Sequence, residues 1–141
     1  MVEIYQAWRL MMRDKNQLFD NWNEIKKDIQ KSSGIFFHQR EIFYAKIGQN
    51  IGFEQNGKGE SFIRPLLIYK KFNSNLFLGI PLSTTKNRGK YYFEFSFKQN
   101  KTSVAILSQI RLFDSKRLIR KIGKIDNDNF NKLKERLFEI L

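Results

Sequence analysis

Gly52-Phe-Glu-Gln-Asn-Gly-Lys-Gly-Glu-Ser-Phe-Ile-Arg-Pro-Leu-Leu-Ile68 is a polar, glycine-rich stretch that runs directly into an Arg-Pro pair and an apolar segment. Glycine and polar residues punctuate a chain, and a short apolar run bounded by them reads as a buried strand. An acid (Glu54), an amide (Gln55) and a permanent cation (Arg64) are therefore gathered at one loop-to-strand junction. Pro65 falls near the start of that strand, where a missing amide hydrogen is tolerated.

Outward from this junction the period of the sequence is two. Upstream, Glu41, Phe43, Ala45 and Ile47 alternate with Ile42, Tyr44 and Lys46, which predicts a first strand. Downstream, Ile63 to Lys70 is the second strand and Asn73-Ser-Asn75 a turn. Leu76 to Leu82 is a third strand, interrupted by Gly79 and Pro81 and leading to Ser83-Thr84-Thr85. After the basic turn Lys86-Asn-Arg-Gly-Lys90, the residues Tyr91, Phe93, Phe95 and Phe97 alternate with Tyr92, Glu94, Ser96 and Lys98. Gln99-Asn100 predicts a hairpin turn into a fifth strand over Thr102 to Ile110. Asp114 or Ser115 caps a short helical turn, Lys121 to Ile125 is a brief extended piece, and Asp126 to Asp128 opens a terminal helix carrying Phe130, Leu133, Leu137 and Leu141.

The opening segment has helical spacing instead, with Leu18, Trp22, Ile25 and Ile29 on one stripe. Asp20 to Lys31 is its firm part, an earlier short helix uses Ile4, Tyr5, Trp8 and Met11, and polar Arg13 to Asn16 separates the two. The fold class is thus mainly β: a small curved sheet or partly closed barrel over residues 36–141, with a helical N-terminal extension over residues 1–35 and a C-terminal helix.

At 141 residues the chain is about one domain, and its 41% hydrophobic content is that of a folded protein. No cysteine is present, which excludes thiolate chemistry, and a single histidine does not assemble an ordinary zinc site. No apolar run approaches the roughly 18 residues of a membrane span. Met1 to Met12, containing Glu3 and Arg9, do not read as a secretory signal, so a cytoplasmic location is expected. The net charge of +12 is uneven: residues 1–35 hold 6 basic and 5 acidic side chains, residues 36–141 hold 20 and 9. A field of that sign attracts nucleic acid or a strongly acidic protein, unless the lysines serve only solubility.

Cleaving RNA without a metal requires deprotonating the attacking 2′-hydroxyl, protonating the leaving 5′-oxygen and stabilising the charge that builds on phosphorus. Arg64 suits the last task, because a guanidinium donates paired hydrogen bonds to phosphate oxygens, although a structural arginine at a strand start has the same spacing. Glu54 could orient that guanidinium or handle a proton, if the loop folds back; otherwise it is a solvated acid. Ser83 or Thr84 could bind a phosphate oxygen or position the hydroxyl. His38, in the connector before the first strand, reads as a surface residue. Lys86, Arg88 and Lys90, beside Tyr91 and Tyr92, have the make-up of a surface that tracks phosphates and stacks bases, or of a solvated hairpin tip.

In sequence order, Glu54-Gln55, a glycine and Arg64-Pro65, then Pro81-Leu-Ser-Thr84, then Leu107-Ser-Gln-Ile-Arg111, Asp114, Arg117-Leu118 and Lys121-Ile-Gly123, resemble the MazF/PemK toxin family from about Arg40 to the C-terminus. The resemblance implies an SH3-like barrel of CcdB/PemK type, a homodimer, and a type II toxin held in check by an acidic antitoxin. It implies a cofactor-free, metal-independent endoribonuclease that cuts single-stranded RNA to a 2′,3′-cyclic phosphate and a 5′-hydroxyl. By position, Arg64 matches the catalytic arginine and Glu54 the loop acid. Ser83 matches a position that is usually threonine, with Thr84 as the alternative register. Gln55 and Lys58 join Lys86, Arg88 and Lys90 as RNA-contact candidates. The chain departs from the family in a longer loop, with Gly57 to Phe62 inserted, and in Ile106 and Ser108 where PemK relatives place an arginine and an aspartate. A catalytically silent nucleic-acid-binding barrel is the second reading. A gyrase poison like the related CcdB toxins ranks last, since the chain ends Phe138-Glu-Ile-Leu141 where they carry Trp-Gly-Ile.

Overall fold

A computed structural model describes residues 2–52, 54–59 and 62–141, and for residues 2, 5 and 7–14 the backbone alone. Phe53, Glu60 and Ser61 of the long loop lie outside the described residues, as do the side chains of Tyr5, Trp8 and Met11 expected on an early helical stripe.

The first element, α1 (Val2–Lys31), is one uninterrupted helix. The break expected at Arg13 to Asn16 does not occur. Those residues include no glycine or proline, and arginine and lysine are good helix formers, so polarity alone does not stop the ladder. Of the later stripe, Trp22 is buried, Ile25 and Ile29 are half-buried and Leu18 is exposed. The helix ends where Lys116 Nζ donates to the Gln30 carbonyl at 3.1 Å, fastening it to the body.

Seven antiparallel strands come after it among the described residues: β1 (Glu41–Lys46), β2 (Ile63–Lys71), β3 (Leu76–Ser83), β4 (Tyr92–Lys98), β5 (Lys101–Ile106), β6 (Arg111–Asp114) and β7 (Leu118–Lys124). The sheet runs β4-β5-β3-β2-β1-β7, and β6 also pairs with β3. β3 therefore has two partners on one edge, β6 along Leu76 to Gly79 and β5 at Leu82 and Ser83. The change of partner falls at Ile80-Pro81, and the strand is continuous where the sequence suggested interruption. The result is a curled half-barrel. The fifth strand stops at Ile106 rather than Ile110, because Leu107–Gln109 form a 3₁₀ turn that re-aims the chain into β6.

Burial explains the composition of the strands. Leu66 and Ile68 pack in one core with Phe37, Phe77 and Phe113, whereas Leu67 faces the other with Ile42, Leu82 and Phe95. A strand covered on both faces needs a continuous apolar run rather than alternation. β4 covers one face only: Phe93 and Phe95 are buried while Glu94 and Ser96 are exposed. α2 (Asn127–Ile140), capped by the Asp126 carboxylate accepting from Asn129 N, lays Phe130, Leu133 and Leu137 into the core of Leu67. Of the two capping candidates, Asp114 caps the second 3₁₀ turn (Ser115–Arg117) by accepting from Lys116 N, while Ser115 is buried within it.

Glu41 ties β1 to its surroundings, accepting from the backbone amide of exposed His38 and from Lys121 Nζ at 2.7 Å. Burial pushes its carboxyl up, but the bonds and charges of Lys121 and His38 outweigh this and hold it below its ordinary 4.5. A group depressed in the folded state stabilises above its unfolded pKa, and loses that contribution as pH falls through the folded value. Between neutral pH and about pH 3, the parent should therefore lose more urea stability than Glu41→Gln. Equal losses in the two proteins would contradict the role given to this carboxylate.

Candidate active site

Arg64 lies on β2 opposite Ala45 of β1, the second residue after the long loop ends. Only 7% of it is exposed, and its guanidinium is held by main chain: Nε donates to the Asn56 carbonyl at 2.6 Å and Nη1 to the Leu82 carbonyl at 3.2 Å. With the amide oxygen of Gln55 turned toward it, Nη2 donates there at 2.6 Å. Burial pushes the guanidinium below its ordinary value, yet arginine remains cationic at neutral pH. Among the described residues no carboxylate lies within ion-pair distance of it. A desolvated cation whose partners are all neutral favours an anion nearby.

The loop owes its shape to its own polar groups. Asn56 Oδ1 accepts from Asn50 N, while Asn50 Nδ2 donates to the carbonyls of Ile47 (3.2 Å) and Gln55 (2.7 Å). Gly57 N donates to the Gly48 carbonyl at 2.8 Å, and a Cβ on Gly57 would lie 1.8 Å from the Phe62 carbonyl oxygen, so only glycine fits. Lys58 bridges to Ile63 and closes the last turn.

Arg64 opens into a cleft of about 280 Å³ whose lining includes Ser83, Thr84, Lys58, Tyr44 and Ser103. No described carboxylate lines it, so it is a cationic cleft bordered by hydroxyls. Ser83 Oγ accepts from Thr85 N at 3.1 Å, which leaves its hydrogen free to donate. The fold thus brings together Arg64, Ser83, Thr84 and Lys58, with Gln55 behind the guanidinium.

Glu54 is elsewhere. It lines a neighbouring cleft of about 570 Å³ with Arg111, Arg117 and α1, and its Oε1 accepts from Ile51 N at 3.2 Å. The place at the guanidinium that the sequence suggested for this acid is taken by the Gln55 amide and the Asn56 carbonyl. Lys86, Arg88 and Lys90 are exposed on the β3–β4 connection, outside the cleft lining, with Lys90 Nζ 5.0 Å from the Tyr91 ring centre. Sequence reasoning missed Tyr44 and Ser103. Ser103 had a signal, being a small polar residue in a strand that is otherwise apolar from Val104 to Ile106.

Arg117 was also missed as a site neighbour. It is cationic but strained: burial pushes its pKa down, Arg111 adds repulsion and Asp114 partly compensates. Its Nη1 donates to the Lys46 carbonyl at 3.3 Å, fixing it under the same loop.

Fold and cleft together define a small curled β-barrel with a cationic, hydroxyl-bordered cleft. The chain belongs to the family of PemK-like, MazF-like toxins of type II toxin-antitoxin systems, whose model matches residues 38–141. Among solved structures it is similar to MazF from Deinococcus radiodurans (14% identity, TM-score 0.62, covering 77% of this chain and 97% of that one). It is similar also to the Mycobacterium tuberculosis toxin MazF-mt6 (18% identity, TM-score 0.56, 71% and 94%). A third is an endoribonuclease in complex with its cognate antitoxin from a mycobacterial species (13% identity, TM-score 0.54, 72% and 90%). At such identities the likeness is one of fold. Among curated proteins, none matches the chain. No described helix is long and apolar enough to cross a membrane.

Proposed function

We propose that this toxin is a metal-independent endoribonuclease acting on single-stranded RNA in the cytoplasm, as a homodimer restrained by an acidic antitoxin. The observation that carries the reading is Arg64: a buried guanidinium without a described acidic partner, facing hydroxyls in a cleft, in a member of this toxin family. The similar mycobacterial endoribonuclease bound to its antitoxin supports both the activity and the partner. The excess of 20 basic over 9 acidic side chains in residues 36–141 suits an acidic protein as well as RNA.

In this reading the 2′-oxygen attacks the adjacent phosphorus and the bond from phosphorus to the 5′-oxygen breaks. The products are a 2′,3′-cyclic phosphate and a 5′-hydroxyl, the leaving oxygen taking its proton from solvent water. Arg64 donates to the phosphorane oxygens as their charge grows, and Ser83 donates to a phosphate oxygen or fixes the attacking hydroxyl, with Thr84 beside it. The 2′-hydroxyl must lose its proton, and the loop acid Glu54 is assigned to accept it, its side chain swinging out of the neighbouring cleft while Gln55 and Asn56 stay on the guanidinium. Gln55 and Lys58 meet the backbone at the cleft.

The direct test is to incubate the purified protein with single-stranded RNA in excess EDTA. Defined cuts with 5′-hydroxyl ends are expected; retention of intact RNA would favour a silent binding barrel, and cutting only after a divalent ion is restored would end the metal-free mechanism.

The basic loop yields a separate prediction. In an Arg64→Ala background, which spares the RNA, replacing Lys86, Arg88 and Lys90 with alanine should weaken binding and lower the slope of log K against log salt by about 2, since each phosphate contact on a single strand contributes about 0.7. Fluorescence anisotropy over a salt series reads both quantities, and an unchanged slope would remove this loop from the RNA path.

A further inference from the structure

α1 precedes the segment that matches the toxin family, yet one of its side chains stands at the base of the loop that holds Arg64. Trp22 is only 5% exposed. Its ring centre lies 5.6 Å from that of Phe62 and 5.7 Å from the guanidinium carbon of Arg117. A Cβ built on Gly48 would fall 2.0 Å from the indole, so the ring rests directly on the Gly48 backbone.

Gly48 and Phe62 are the two feet of the loop. They are tied by bonds from Ile47 N and Gly48 N to the Phe62 carbonyl at 3.1 and 3.3 Å, and Gly57 N returns to the Gly48 carbonyl at 2.8 Å. Immediately before Gly57 come Gln55 and Asn56, whose amide and carbonyl oxygens hold the guanidinium. A continuous series of contacts therefore runs from the indole through the feet and Gly57 to Arg64. Gly48, Gly52 and Gly59 take positive φ, and glycine has the most freedom to lose when a segment is ordered, so this path needs outside support.

We infer that Trp22 is a positioning residue for RNA cleavage. The indole clamps the feet of the loop so that Gln55 and Asn56 present Arg64 to the cleft, which makes α1 part of the catalytic apparatus although it touches no substrate. The inference rests on the reading of Arg64 as the phosphate-stabilising group.

Trp22→Ala and Trp22→Phe, made in the full chain, test it. Misplacing a catalytic group by about 1 Å costs up to roughly a hundredfold, so Trp22→Ala should lower kcat about tenfold to a hundredfold with a much smaller change in KM. Trp22→Phe keeps a ring over Gly48 and should restore kcat to within about threefold of the parent. Hydrogen exchange supplies the second readout: the amides of Ile47, Gly48 and Gly57 should exchange faster in Trp22→Ala, while those of β3 and β5 keep the parent's protection. Parent-like kcat, a loss confined to KM, or unchanged exchange in the loop overturns the clamp. Loss of protection throughout the barrel also overturns it, since Trp22 would then serve general stability. A parent protein that cuts no RNA defeats the ribonuclease reading instead, and the loop's exchange rates still decide whether Trp22 holds it.

Discussion

Arg64→Ala is expected to lower kcat for RNA cleavage by about 10²–10³, the loss seen when one preorganised donor to a developing oxyanion is removed. The reason lies in how the side chain is held. Its donors to Asn56, Leu82 and Gln55 fix the guanidinium plane before substrate arrives, so no reorganisation is needed when charge builds on phosphorus. Arg64→Lys should recover little. An ammonium keeps the charge but cannot span the two carbonyls and present a flat pair of donors to phosphate. Single-turnover cleavage of a short RNA, with near-UV circular dichroism to verify the fold, measures the effect. An Arg64→Ala protein that cuts like the parent would remove this residue from the mechanism.

The largest effect on stability is expected from Phe77→Ala, at about 3–5 kcal/mol. Phe77 is fully buried, with its ring centre 5.0 Å from that of Phe37 and 5.9 Å from that of Phe113. Gly79 leaves no spare volume beside it, since a Cβ there would lie 2.8 Å from Phe113 and 3.0 Å from Phe77. A cavity in so close a packing cannot collapse without moving β6. Domains of this size are stable by about 5–15 kcal/mol, so the variant should sit near the edge of unfolding at room temperature. Urea titration followed by far-UV circular dichroism tests this, and a loss under about 1 kcal/mol would mean the site repacks freely.

The parts of the fold that could be read from the sequence are those in which one element sees one environment. β4 alternates because one face meets the core, and Asp126 announces α2 because a cap acts within one turn. β6 was missed because four residues, Arg111 to Asp114, are too few for a period to declare itself, and its pairing with β3 is a tertiary fact. The continuity of α1 does not show in the sequence, because polar Arg13 to Asn16 look like a boundary although a helix boundary needs a backbone reason. At the site, the types of residue were legible but not their directions. Glu54 faces the neighbouring cleft and the adjacent Gln55 the guanidinium, and which one meets Arg64 is decided by a loop with Gly52 at φ 58° and Gly59 at φ 76°, not by spacing. Arg64's main-chain partners leave no mark in the sequence, because every residue carries a carbonyl.

The strand order has one more consequence. Arg64 pairs with β1, and the other edge of β1 is completed only by β7, so Ala45 meets Arg64 on one side and Leu118 on the other. Between Arg64 and Leu118 the chain must also supply Ser103, which borders the cleft, and after them the α2 residues that fill the core. Pairings of such long sequence separation are slow to form, because loop-closure entropy must be met before their contacts reward it. While the polypeptide is still being made, a ribosome that has not yet released Leu118 and the residues beyond it holds a β1 with an open edge and a barrel without its plug. Such an arrangement makes the cleft contingent on β7 and α2, so a chain that still lacks them holds Arg64 on an unfinished sheet.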